Sequence, residues 1–285
     1  MNPRSRHGQR EMKFLPSLLC AGFALLISPL PAQVIPDTAW NLSQIPPLTD
    51  SGPRTYRFTI DYDSADSVGN LVQRQRVTAD YTRGLPNDEV RWKNVSVATA
   101  TGAADPFGAP KKSEFMDGFQ YAANSETLAP DFFKTFPPSA FMERNLVWDT
   151  AMFEMFGQKS LNKLRLNEPF HTMPDQDVKM PGLGTFRNHD IILEWIGIDH
   201  RNGHDCAVVN YRAFFNPIDI NSGGMTLKAR SDYWGQIWIS FADRQIEYAT
   251  LYEEVVGQMK APGQTSAAPM NVFRIGSFEP VNAAK

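Results

Sequence analysis

The run Tyr233-Trp234-Gly235-Gln236-Ile237-Trp238-Ile239-Ser240, followed after Phe241 by Ala242-Asp243 and then by Arg244-Gln245-Ile246-Glu247-Tyr248-Ala249-Thr250-Leu251-Tyr252, decides the fold class. Buried-type and solvent-type residues alternate on both sides of the polar turn, the pattern of two antiparallel strands sharing one covered face. A tight turn at Ala242-Asp243 sets Ile239 against Ile246, Ile237 against Tyr248, Gly235 against Thr250 and Tyr233 against Tyr252, all on one face. Arg230, Asp232, Gln236 and Ser240 take the opposite face with Trp234 and Trp238, so the register is chemically coherent.

Strand patterns continue outward from this hairpin at about 186–199, 205–215, 225–241 and 245–256, with a further strand near 272–278 after a Pro/Ala/Gly stretch at 261–269. Asn202-Gly203 marks a two-residue type I′ turn between the first two. Upstream, Tyr56, Phe58, Ile60 and Tyr62 alternate with Arg57, Thr59, Asp61 and Asp63, and strands follow over about 71–82 and 89–100. Short turns between these three predict an antiparallel meander. On the second of them Arg74 and Arg76 share a face, which reads as a solvated stripe rather than an anion site.

Between the two groups of strands the texture changes. Pro106, Pro110, Pro130, Pro137 and Pro138 punctuate segments dense in Phe and Met. Ser139 is placed to cap a helix running through Phe156, with Gly157 placed to stop it. Phe141, Met142, Leu146, Val147, Trp148, Met152, Phe153, Met155 and Phe156 make that helix apolar nearly all round, the signature of burial on several sides or of a lid over an apolar cavity. The expected fold is therefore mainly β (α+β), a long curved antiparallel sheet or half-barrel with an inserted apolar helical segment. The expected organisation is a signal peptide over 1–32, an N-terminal arm over 33–53, one β-rich domain over 54–258 with a helical insert at about 111–157, and a Pro/Ala-rich segment over 259–285.

The signal peptide rests on Arg4, Arg6, Arg10 and Lys13 ahead of an apolar run from Phe14 to Ile27, then Ser28-Pro29-Leu30-Pro31-Ala32. The run is too short to span a bilayer and ends in a small-residue cleavage layout near Ala32, so export to the periplasm or the extracellular space is expected, with no transmembrane span in the mature chain. Met12 is an alternative start that keeps a complete signal. The 285 residues carry a formal charge of −3, which removes the basic excess of nucleic-acid binders. Cleavage leaves Cys206 as the one cysteine, so no internal disulfide can form.

Trp234-Gly235-Gln236-Ile237-Trp238-Ile239-Ser240 with Asp243-Arg244-Gln245-Ile246 resembles the hairpin of exported bacterial half-β-barrel proteins, and the sheet with an embedded helix is similar to the outer-membrane lipoprotein-carrier-like architecture. That resemblance implies acyl chains held between sheet and helices. It assigns no individual binding residue.

Catalytic motifs are missing. There is no G-x-S-x-G, H-E-x-x-H, C-x-x-C or Walker A sequence, and no cofactor, metal or catalytic residue is assigned. His189-Asp190, Asp199-His200 and His204-Asp205 repeat an imidazole beside a carboxylate, but the Asn202-Gly203 register sends His200 and His204 to opposite faces. His171 with Asp175 and Asp177 reads as a solvated loop. Cys206 falls opposite Asp199, which disfavours a thiolate, so a Cys206–His204 nucleophile is a minor reading.

Two functions remain. One is an exported, non-catalytic binding protein that holds a lipid or acyl chain between the sheet and the Phe/Met-rich helix, through Phe141, Trp148, Met152, Phe156, Tyr233, Ile237 and Tyr248. The other is a cell-envelope structural or protein-interaction module with a filled core, contacting an envelope partner through Trp234 and Trp238.

Overall fold

The computed structural model describes Leu42 and residues 45–281 other than Pro174 and Pro181. The signal peptide read over 1–32 lies outside the described residues. Among them, no helix is long and apolar enough to cross a membrane.

The strands are β1 (Arg54–Ala65), β2 (Leu71–Leu85), β3 (Glu89–Ala100), β4 (Lys111–Lys112), β5 (Gln120–Ala122), β6 (Pro169–Thr172), β7 (Gln176–Met180), β8 (Gly184–Asn188), β9 (Ile191–Arg201), β10 (His204–Ser222), β11 (Met225–Ser240), β12 (Ile246–Lys260) and β13 (Ala268–Pro280). They form a large, curved, open antiparallel sheet in the order β4-β3-β2-β1-β13-β12-β11-β10-β8-β7, as the period-two pattern predicts. Both β9 and β8 pair with the long β10, and β6 lies beyond β9. One strand was expected over 186–199; the chain instead steps at His189-Asp190, where the His189 amide donates to Asn216 Oδ1 at 3.0 Å. The last strand is also more central than the sequence implies. β13 sits between β1 and β12 and joins the N-terminal meander to the C-terminal strands.

Helix α1 (Phe141–Phe153) lies on the inner face of this sheet, and its Phe153 ring meets Phe58, Phe278 and Tyr211 at centroid distances of 5.9, 5.8 and 6.3 Å. The helix does not stop at Gly157 but continues as a wider π turn over Glu154–Lys159. Glycine is needed there for close approach: a Cβ would sit 2.5 Å from Ile239 Cδ1 and 3.0 Å from Ile237 Cγ2. Ala140, not Ser139, occupies the cap position, and no side chain caps the helix. The expected helical insert at about 111–157 is helical only in its last part. Before Phe141 the chain forms β4, β5, one 3-10 turn at Glu114–Met116 and successive turns, because Gly118, Pro130, Pro137 and Pro138 interrupt any longer helix.

The Asn202-Gly203 turn forms as read, with positive φ at both residues (53° and 85°) and His200 opposite Asp205. The β11–β12 hairpin pairs Ile239 with Ile246 but then departs from the expected register. Trp238 faces Tyr248, Ile237 faces Ala249, and Trp234 faces Tyr252. The cause is a bulge at Glu247, which is buried to accept from Arg54 Nη2 at 2.7 Å. One extra residue moves each later side chain to the other face, so Tyr248 and Tyr252 lie outside, not beside Ile237 and Tyr233.

Candidate functional site on the inner face

Strand parity puts Tyr233 and Ile237 of β11, Leu251, Glu253 and Val255 of β12, and Met270, Arg274 and Phe278 of β13 on the inner face with the helix. Most of this face is filled. Phe156 is 1% exposed and Ile237 0%; Phe156 packs on Tyr211, and Gly157 lies directly against Ile237 and Ile239. Tyr233 is buried too, its hydroxyl donating to Asn188 Oδ1 at 2.9 Å. Met152 packs half-buried against the main core. Tyr248 is on the outer face, under Arg201, whose guanidinium carbon lies 3.6 Å from the ring centroid.

Two carboxylates at the C-terminal half of the helical segment, Asp149 and Glu154, are buried against cations from the sheet. Asp149 accepts from Arg274, which also donates to Glu253, and Ser231 donates to Glu253 in turn. Burial pushes the Asp149 carboxyl up to about 6; Arg274 opposes that rise, and neighbouring Glu253 adds to it. One turn further, Glu154 accepts from Arg83 at 3.0 Å and from the Tyr81 hydroxyl at 2.8 Å. Its carboxyl is raised by burial, with the Arg83 cation working against the shift. A polar pocket of about 50 Å³ opens beside Tyr81, Tyr121, Glu154 and Lys159, room for water but not for an acyl chain.

At the Met270 end of β13 a second apolar cluster adjoins the main core and shares Trp148 and Phe186 with it. Met180, Leu183, Ile218, Ile220, Leu227 and Val255 are buried in it, and Phe141, Trp148, Phe186, Met225, Met259 and Met270 pack half-buried around them. The helix contributes only Phe141 and Trp148 to this end. The row across its strands runs Ile218, Ala229, Gly257, Met270, and the strands are close there, since a Cβ on Gly257 would meet Lys228 O at 2.3 Å and Ala229 Cβ at 2.5 Å. The methionines at the border of the cluster are adaptable and only partly covered.

Of the seven candidate ligand residues, the structure brings Phe141 to the second cluster and places Trp148 between the two clusters. It places Phe156, Ile237 and Tyr233 in the packed interior, Met152 at its edge and Tyr248 outside. The methionines of the second cluster were not singled out in the sequence, although Met225, Met259 and Met270 hold inward parity on β11, β12 and β13. Arg274, Glu253 and Asp149 were missed as well. A charged residue at an inward position of a strand was the available signal.

The remaining polar candidates are dispersed. His171, His189 and His200 each contact one carboxylate, Asp190, Asp175 and Asp205, at 2.8, 3.2 and 3.0 Å. Among the described residues no three His, Cys, Asp or Glu side chains are gathered to hold a metal ion. Cys206 is buried, and burial with Glu247 nearby pushes its thiol up to about 12, so it is no thiolate nucleophile. Arg74 and Arg76 pair with Asp63 and Asp61 at 3.5 and 2.7 Å and stack on Phe107. Trp238 is covered, donating to Asp199 Oδ2 at 2.9 Å, while Trp234 remains 41% exposed.

No protein-family model matches the chain, and no curated protein matches it. Among solved structures, one of lipovitellin, described for its lipid–protein interactions, is similar at a TM-score of 0.39 and 12% identity, over 85% of this chain and 26% of that one. This chain thus spans about a quarter of the length of the lipovitellin chain it aligns with.

Proposed function

We propose that the protein is an exported, non-catalytic binding protein whose hydrophobic ligand, a lipid or acyl chain, lies at the second apolar cluster, bordered by Phe141, Met225, Met259 and Met270. The observation that carries this reading is the second apolar cluster itself. Its border is made of methionines that are only half-buried, and the helix reaches it only through Phe141 and Trp148. Methionine side chains are unbranched and polarisable, so such a surface adapts to chains of differing length. The basic, apolar and small-residue layout of residues 1–32 supports export.

The test is native mass spectrometry with solvent extraction of the protein purified from its cell envelope. An apolar molecule should co-purify with the wild type. The Met259→Asp, Met270→Asp double variant should lose it while still unfolding cooperatively in urea, at a lowered midpoint because both positions pack half-buried on the cluster. A wild-type protein that carries nothing, and takes up neither a fatty acid nor a phospholipid on incubation, contradicts the reading.

A further inference from the structure

The outer face of the sheet carries two adjacent rows that run across the strands. In the first, register places Gln236, Thr250, Ser277, Thr59, Thr78 and Ser96 side by side on β11, β12, β13, β1, β2 and β3. All six are uncharged and half-buried. The row spans about 24 Å at ~4.8 Å per strand. Gln236 Nε2 donates to Asn210 Oδ1 at 2.9 Å, and Thr78 shares a hydrogen bond with Ser96 at 3.0 Å. Among the described residues, the hydroxyls of Thr59 and Ser277 have no hydrogen-bond partner.

The second row lies two residues along each strand. Trp234, Tyr252 and Ile275 are neighbours across β11, β12 and β13, exposed by 41%, 39% and 50%. The Trp234 and Tyr252 rings are stacked, 18° from parallel with centroids at 5.9 Å, and together form an exposed aromatic pair. Phe214 extends it on the β10 side, 6.3 Å from Trp234. The charges at its two ends are already neutralised: Arg212 donates to Glu194 at 3.2 Å, and Arg76 makes a two-pronged contact with Asp61 at 2.7 Å.

We propose that this face binds an uncharged polysaccharide lying across the strands. Exposed aromatic rings offer apolar surface to the C–H face of a sugar ring, and an adjacent line of hydroxyl and amide groups offers donors and acceptors to sugar hydroxyls at regular spacing. Ligand and surface agree in charge, since neither row leaves an unpaired ion. An anionic membrane would instead require an excess of Lys and Arg beside the aromatic residues.

Affinity electrophoresis of the native protein in gels containing hydroxyethylcellulose, dextran, laminarin or galactomannan tests the proposal, with sedimentation velocity and phosphatidylcholine vesicle flotation run in parallel. At least one glycan should retard the wild type. Trp234→Ala should weaken that retardation about tenfold or more, and Thr59→Val with Ser277→Ala several-fold, with unfolding midpoints unchanged because these positions lie outside the packed core. Retardation by none of the four glycans overturns the proposal, as does retardation that Trp234→Ala leaves intact. A Trp234→Ala effect on sedimenting mass or vesicle flotation in place of glycan retardation also overturns it, in favour of a second copy or a lipid surface.

Discussion

Arg274 of β13 donates to the Asp149 carboxylate of the helix from inside the protein, and it joins that helix to Glu253 of the neighbouring strand with the same guanidinium. Both carboxylate partners and the arginine side chain are nearly inaccessible, at 10%, 8% and 10% exposure. Removing the cation would leave two buried carboxylates without a counter-charge. Arg274→Met should therefore destabilise the protein by about 3–5 kcal/mol in urea denaturation, and a loss below about 1 kcal/mol would show that the layer is hydrated rather than sealed.

The same layer sets a pH dependence. Asp149 in the folded protein gives up its proton near 6, whereas the unfolded chain does so near 3.8. Between those values the folded state binds the additional proton, so this group's contribution to stability is fully present below about 3.8 and lost as pH rises through about 6. Relative to Asp149→Asn, the wild type should gain stability as pH falls from 7 to 5, read as the difference in urea midpoints. A difference that stays flat would mean that Asp149 is ionised throughout.

Gly235 gives a test of packing at the centre of the hairpin. A Cβ there would lie 2.1 Å from the Thr250 carbonyl oxygen and 2.6 Å from the Tyr211 hydroxyl, which itself donates to that carbonyl at 2.6 Å. Backbone cannot yield as a side-chain tip can. Gly235→Ala should lower stability by about 1–3 kcal/mol and speed amide exchange along β11 and β12; unchanged exchange would mean that the strands separate without loss.

Much of this architecture is legible in the sequence because alternation is a local property. Tyr56 to Tyr62, the Asn202-Gly203 turn and the Ile239–Ile246 pair all form as their patterns imply. What is not legible depends on partners distant in the chain. Glu247 bulges to meet Arg54, nearly two hundred positions away, and that single extra residue sends Tyr248 and Tyr252 to the outer face. Gly157 reads as a helix stop, yet the requirement it meets is set by Ile237 and Ile239. The apolar helix conceals Asp149 and Glu154, whose burial makes sense only with Arg274 and Arg83 supplied by β13 and β2. For the candidate site the limit is similar. Phe141 and Trp148 stand out as large apolar residues, but the cluster they pack on forms because Met225, Met259 and Met270 come together from three strands.

Photo-crosslinking with a diazirine-bearing fatty acid, followed by peptide mass spectrometry, tests the central claim most directly. Label on the peptides that contain Phe141, Met225, Met259 and Met270, competed away by unmodified fatty acid, is the predicted result. Label confined to other surfaces, or undiminished by the competitor, would contradict ligand binding at this end of the sheet.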